Sequence, residues 1–152
     1  MSAFGIDVDP AAVCIFDQPT VKHDALDALV EAISATSVID DVEGFRRAVY
    51  EREAIMSTGI GSGVAIPHVR SQAVRKPAVG VGLSREGIDF DTLDNQPVNI
   101  IVLFAMPAGS QRDYLSLLAQ VMLALKASGF RERLLNCESK ESAAELVNDT
   151  DV

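Results

Sequence analysis

Apolar residues run without a break through Val13, Cys14, Ile15 and Phe16 and stop before Pro19, which predicts a short strand within residues 12–17. In the next segment Leu26, Leu29, Val30 and Ile33 recur at helical spacing, with Asp24, Asp27 and Glu31 on other faces. An amphipathic helix over 21–34 follows, with Thr20 as its expected N-cap. A second helix is expected after Asp40 and Asp41, which supply a cap and negative charge at the end where the helix dipole favours it. Val42, Phe45, Val49 and Arg52 fall at i, i+3, i+7 and i+10, so Arg52 lies on or beside the apolar stripe. A guanidinium there either snorkels to water along its aliphatic stem or meets an anion.

Residues 64–69, VAIPHV, read as a short strand broken by Pro67. Residues 77–84 alternate Val79, Val81 and Leu83 with Ala78, Gly80 and Gly82, a strand with one packing face and one bare face that another layer can approach closely. After a turn-rich stretch, Val98 to Met106 is almost wholly apolar, as expected of a strand buried on both sides. Leu115, Leu118, Met122 and Leu125 mark a long, substantially buried helix that Gly129 is expected to end. Two further helices are expected over FRERLLNC and SKESAAELVND, the latter capped by Ser139 or Ser142. The fold class is therefore α/β (α+β), one domain over 12–149 with helices on a small mixed sheet. Residues 1–11 are expected to be loose and 150–152 frayed.

Composition narrows the function. At 152 residues, 48% hydrophobic and 23% charged, the chain is the size and type of one folded domain. A formal charge of −9, with thirteen basic residues in no long run, argues against nucleic acid and for a basic protein partner. The first residues lack the charged and apolar regions of a signal peptide, and no apolar run approaches a membrane span of roughly 20 residues. The expected location is cytoplasmic, without membrane insertion. Cys14 and Cys137 match no metal or redox spacing and read as two unpaired thiols.

Candidate chemistry gathers in GIGSGVAIPHVR, residues 59–70. Ser57, Thr58, Gly59, Gly61, Ser62 and Gly63 form a loop that can expose backbone N–H groups to an anion, and Pro67 fixes the approach to His68. His23, the other histidine, lies in a charged first helical turn and reads as surface. No further His or Cys stands near His68, so a metal site is weakly supported. The Gly-Lys-Ser/Thr ending of a nucleotide loop and a G-x-S-x-G elbow are both missing. A neutral imidazole accepts a phosphoryl group near pH 7, and a guanidinium such as that of Arg52 would keep it neutral and neutralise the transferred oxygens. A purely structural histidine is the alternative that these residues leave open.

Residues 51–68, EREAIMSTGIGSGVAIPH, resemble the signature of phosphotransferase-system (PTS) IIA components of the fructose and mannitol superfamily. Residues 94–109, DNQPVNIIVLFAMPAG, are similar especially to the nitrogen-regulatory IIA branch. The resemblance runs from about Ile15 to Asn148 and implies a type-2 IIA fold without a cofactor. It implies His68 as acceptor of a phosphoryl group from HPr or its nitrogen-branch relative, and Arg52 as the arginine near that acceptor. The loop of Ser57, Thr58, Gly59, Gly61 and Gly63 would cradle the group. A regulatory phosphocarrier that binds a target protein is expected, with a sugar-transport IIA passing the group to a IIB domain, or a non-catalytic interaction domain, as alternatives. A homo-oligomer is compatible with each. The family's second histidine, in an H-L-x-x-L pattern, is replaced by Tyr114 in YLSLL. A phenol can donate a hydrogen bond to a phosphoryl oxygen but carries no positive charge at neutral pH. Tyr114 is thus either an auxiliary site residue or an aromatic anchor at a helix start.

Overall fold

The computed structural model describes residues 2–55, 58–109 and 111–150. Its strands are β1 (Val13–Ile15), β2 (Thr20–Val21), β3 (Gly59–Gly61), β4 (Val64–Ala65), β5 (His68–Ser71), β6 (Ala78–Asp89) and β7 (Val98–Pro107). They form one mixed sheet around an antiparallel β6–β7 pair. On the outer side of β6, β1 and then β2 pair in parallel; on the outer side of β7, β4 and then β5 do the same. The hairpin strand β3 closes that edge against β4.

Helices cover both faces. On one face α1 (Lys22–Ser34) and α2 (Val42–Ile55) pack Leu26, Leu29, Ile33, Phe45 and Val49 against Ile101, Leu103 and Ala105 of β7. On the other, α3 (Gln111–Lys126), α4 (Ser128–Leu135) and α5 (Lys140–Asp149) pack Val121, Leu125, Phe130, Leu134 and Val147 against Ile100, Val102, Phe104 and Met106. Successive β7 side chains alternate between two cores, which is why no polar residue interrupts Ile100 to Met106.

The bare face of β6 has the expected use. A Cβ at Gly80 would lie 2.9 Å from Ile33 Cδ1 and Cγ1, so α1 rests directly on the strand backbone. Because Ile33 is fully buried, it has little room to give way. Gly80→Ala is expected to lower stability by about 1–3 kcal/mol through overpacking. A urea midpoint equal to wild type would show that α1 does not lie this close.

Several expectations need correction. Residues 2–8 are packed: Ala3 and Phe4 are fully buried, Phe4 meets Phe130 edge-on at 6.1 Å, and the Val8 backbone exchanges two hydrogen bonds with the Asn148 side chain. Phe4 and Val8 complete the core beneath α3–α5, which their short apolar spacing between polar residues concealed. Thr20 is not the cap of α1: its hydroxyl donates to the Gln18 carbonyl, and Val21 stands at the N-cap without a side-chain bond. Gly129 does not end α3; it lies inside α4, with Ala127 at that helix's N-cap. The stripe on α3 is rotated, since Val121, Ala124 and Leu125 are buried while Leu115, Met122 and Leu123 are exposed. Asp41 and Ser139 do cap α2 and α5, Ser139 through a reciprocal pair with Ser142.

Candidate active site

His68 opens β5, and the proline before it sets its place. Pro67 cannot donate to a sheet ladder, so β4 ends at Ala65 and pairing with β7 resumes at His68, opposite Phe104. The Phe104 N–H donates to the Pro67 carbonyl at 2.9 Å and anchors the crossing. The imidazole is left half-buried at the end of the sheet, under the C-terminal turn of α2.

α2 starts where the Asp41 carboxylate accepts the Gly44 N–H at 3.0 Å, then buries Phe45 and Val49. Arg52, three residues beyond Val49, emerges from that stripe with a guanidinium nitrogen 3.5 Å from His68 Nε2. This is the long limit of a hydrogen bond, close enough for strong electrostatic influence. On the other side of the ring, Nδ1 lies 2.8 Å from the Ile66 carbonyl oxygen. A carbonyl can only accept, so in the neutral ring Nδ1 carries the proton and Nε2 presents its lone pair toward Arg52. Burial holds the imidazole below its ordinary value of 6.5; Ile66 and Glu53 oppose the shift, while Arg52 and Arg70 reinforce it.

Nε2 borders an open hollow lined by Arg52, Ile55, Arg70, Gly109 and Tyr114. The Tyr114 ring stands 5.3 Å from the imidazole, centroid to centroid, tilted by 38°. The Arg70 guanidinium carbon lies 5.3 Å from the Tyr114 centroid, a cation–π distance. Burial pushes the Tyr114 phenol up, so it stays protonated at neutral pH. The start of α3 edges the hollow through Ala108, Gly109 and Tyr114. Helix N-terminal amides favour negative charge. A neutral nucleophilic nitrogen, two guanidiniums and a helix start suit an anionic group with several oxygens better than a cation. Among the described residues, no cluster of three or more His, Cys, Asp or Glu could hold a metal ion.

Of the expected site residues, His68, Arg52 and Tyr114 come together; the glycines of the loop do not. Gly59 and Gly61 pair with Ala65 and Val64 in a β-hairpin rather than an open cradle. Val64 and His68 face β7 at Ile100 and Phe104, so the hairpin turn is about 13 Å along the sheet from the imidazole. The positive φ of Gly61 and Gly63, +91° and +74°, serves that turn. At Gly63 a Cβ would also meet Asn99 Oδ1 at 2.6 Å. Thr58 is tied to the stretch leading into the acceptor's strand, its carbonyl accepting the Ile66 N–H at 3.0 Å, and Ser57 lies outside the described residues. Sequence reading missed Arg70, although a residue two beyond His68 in a strand shares its face. Glu53 was missed as well; it is a buried carboxylate next to Arg52 that binds Lys22 and Thr58.

Comparison with known proteins identifies the family. The family described as "Phosphoenolpyruvate-dependent sugar phosphotransferase system, EIIA 2" matches residues 11–150. A PTS system fructose-specific EIIA component of Haloferax volcanii is 33% identical over 135 residues, 89% of this chain and 88% of that protein. A fructose-specific EIIABC component of Bacillus subtilis is 31% identical over 86% of this chain, which spans only 20% of that larger protein. A nitrogen regulatory protein of Pseudomonas aeruginosa is 34% identical over 98 residues, 64% of each chain. The crystal structure of nitrogen regulatory protein IIA-Ntr from Neisseria meningitidis superposes with a TM-score of 0.83 at 24% identity, covering 97% of this chain and 100% of that one. Fold, motif and a match spanning both sheet edges converge: the chain belongs to the EIIA 2 family of the phosphoenolpyruvate-dependent sugar phosphotransferase system.

Proposed function

We propose that this protein is a IIA-type phosphocarrier that takes a phosphoryl group from phospho-HPr, or its nitrogen-branch relative, onto Nε2 of His68. The observation that carries this reading is the 2.8 Å bond from Nδ1 to Ile66, which turns the Nε2 lone pair into the hollow beside Arg52. In the transfer Nε2 forms the N–P bond as the bond to the donor breaks, and the donor keeps that electron pair. Nδ1 retains its proton, so the phosphorylated ring gains positive charge that the Ile66 carbonyl stabilises. Arg52 offsets the charge spread over the phosphoryl oxygens. Tyr114 limits the hollow and can donate to a phosphoryl oxygen, but supplies no charge. Exposed Ile55, which borders the hollow, and Leu115, next to Tyr114, offer apolar contact to a transient partner.

Two uses of the carried group draw on different observations. A sugar-transport role, in which the group would pass to a IIB domain, is supported by the fructose-specific Haloferax relative, matched over most of both chains. A nitrogen-type regulatory role is supported by the 94–109 motif and the Pseudomonas relative. Either use calls for a location shared with the phosphodonor, which we take to be the cytoplasm. Among the described residues, no helix is long and apolar enough to cross a membrane.

The acceptor rate from phospho-HPr should report the lowered His68 pKa. The nucleophile is the neutral ring, and a depressed pKa keeps it neutral further into acid. The rate is expected to be at its plateau near pH 8 and to reach half of it below pH 6.5, the value for an unperturbed imidazole. A rate that halves near pH 7 or above would contradict the assignment, provided phospho-HPr itself reacts normally with a control acceptor.

A further inference from the structure

We propose that Glu53 is a positioning residue for the acceptor, fixing the His68 imidazole through a hydrogen-bond relay anchored on Lys22. This rests on the His68 reading and adds a residue to it.

Glu53 follows Arg52 on α2 but turns inward, and its side chain is only 4% exposed. A buried carboxylate is costly unless several donors meet it, and here three do. Lys22 Nζ lies 2.8 Å from Oε1, the Thr58 N–H donates to Oε1 at 3.0 Å, and the Thr58 hydroxyl donates to Oε2 at 2.8 Å. Lys22 is itself held 4.9 Å above the Phe90 ring. The relay then passes through the backbone. The Thr58 carbonyl accepts the Ile66 N–H at 3.0 Å, and the Ile66 carbonyl accepts Nδ1–H of His68 at 2.8 Å.

Every link has a fixed direction, because ammonium and amide N–H groups only donate and carboxylate and carbonyl oxygens only accept. The relay ends on the ring nitrogen that is not attacked, so it selects the tautomer whose Nε2 is nucleophilic and holds the ring plane toward Arg52. An ion pair that merely joined α1 to α2 would have no need to grip Thr58 by both its N–H and its hydroxyl. Glu53 thus acts on the reaction through Thr58 and Ile66, without touching the phosphoryl group.

The test reads the tautomer directly. Histidine 15N NMR of the unphosphorylated protein should give the Nδ1–H form for His68 in the wild type and a mixture of tautomers in Glu53→Ala. Among the described residues, the other ionisable groups facing the ring are Glu51 and Arg52 on α2, Arg70 on β5 and Tyr114 on α3; all are unchanged in these variants. The rate of acceptance from phospho-HPr should fall about tenfold to a hundredfold in Glu53→Ala. Glu53→Gln, which keeps an oxygen acceptor, should recover part of both readouts. Thr58→Val should move both in the same direction by a smaller factor and covers the case in which Glu53→Ala does not fold. Folded Glu53→Ala, or otherwise Thr58→Val, with wild-type tautomer and rate would overturn the proposal. A wild type that accepts no phosphoryl group would instead contradict the His68 reading, leaving the relay to be judged by the tautomer alone.

Discussion

Incubated with phosphoenolpyruvate, enzyme I and HPr, the wild-type chain is expected to gain one phosphoryl group and the His68→Ala chain none. The effect is expected to be all-or-none because the substitution removes Nε2 of His68, the proposed acceptor atom. The variant should fold, since the ring is only half-buried and its close polar contacts are the Ile66 carbonyl and the Arg52 guanidinium. Losing the bond to Ile66 costs about 0.5–1.5 kcal/mol, a modest part of a domain's stability. Intact mass measured without acid is the readout, because phosphohistidine is acid-labile. A full adduct on His68→Ala would move the acceptor elsewhere, with His23 the first position to inspect. His23 stacks on Tyr50 at 5.0 Å on the outer surface of α1 and α2, and the guanidiniums of Arg52 and Arg70 border the His68 hollow instead.

Arg52→Ala should leave the acceptor in place and slow its phosphorylation by about 100- to 1000-fold, the usual loss when one preorganised donor to a charged transition state is removed. Arg52→Lys should fall between wild type and alanine: it keeps the charge but loses the planar fork that can meet two phosphoryl oxygens. Single-turnover transfer from phospho-HPr separates this from weaker docking, because a lost transition-state contact persists at saturating donor. A saturating rate within threefold of wild type would remove Arg52 from the reaction and return it to the role of a snorkelling side chain. Arg70, which also faces the hollow, would then be the cation to test.

The elements that proved easiest to read carry one strong local signal. Val98–Pro107 is apolar because both its faces are covered, and 78–83 alternates with glycine because α1 lies against one face. The His68–Arg52 pair was legible because the two residues sit at the ends of patterns that can be extrapolated, a broken strand and a helical stripe. What escaped reading depends on contacts distant in sequence. Phe4 is core only because Phe130 comes to meet it, and Glu53 looks like one more surface charge until Lys22 and Thr58 close on it. The glycines of 59–63 misled for a related reason. Positive φ and close approach serve a tight hairpin as well as an anion loop, and only the pairing of β3 with β4 tells them apart. On α3, Leu115 and Met122 keep a regular apolar period while facing outward, so period alone did not identify the buried side.

The most direct measurement is the position of the phosphoryl group on the ring. Two-dimensional 1H–15N NMR of the phosphorylated, histidine-labelled protein distinguishes the two nitrogens. The predicted result is an Nε2–phosphoryl bond on His68 with Nδ1 still protonated and bonded to Ile66. Phosphorylation at Nδ1 would contradict it, because that nitrogen would have to give up its 2.8 Å bond and the ring would have to turn away from Arg52.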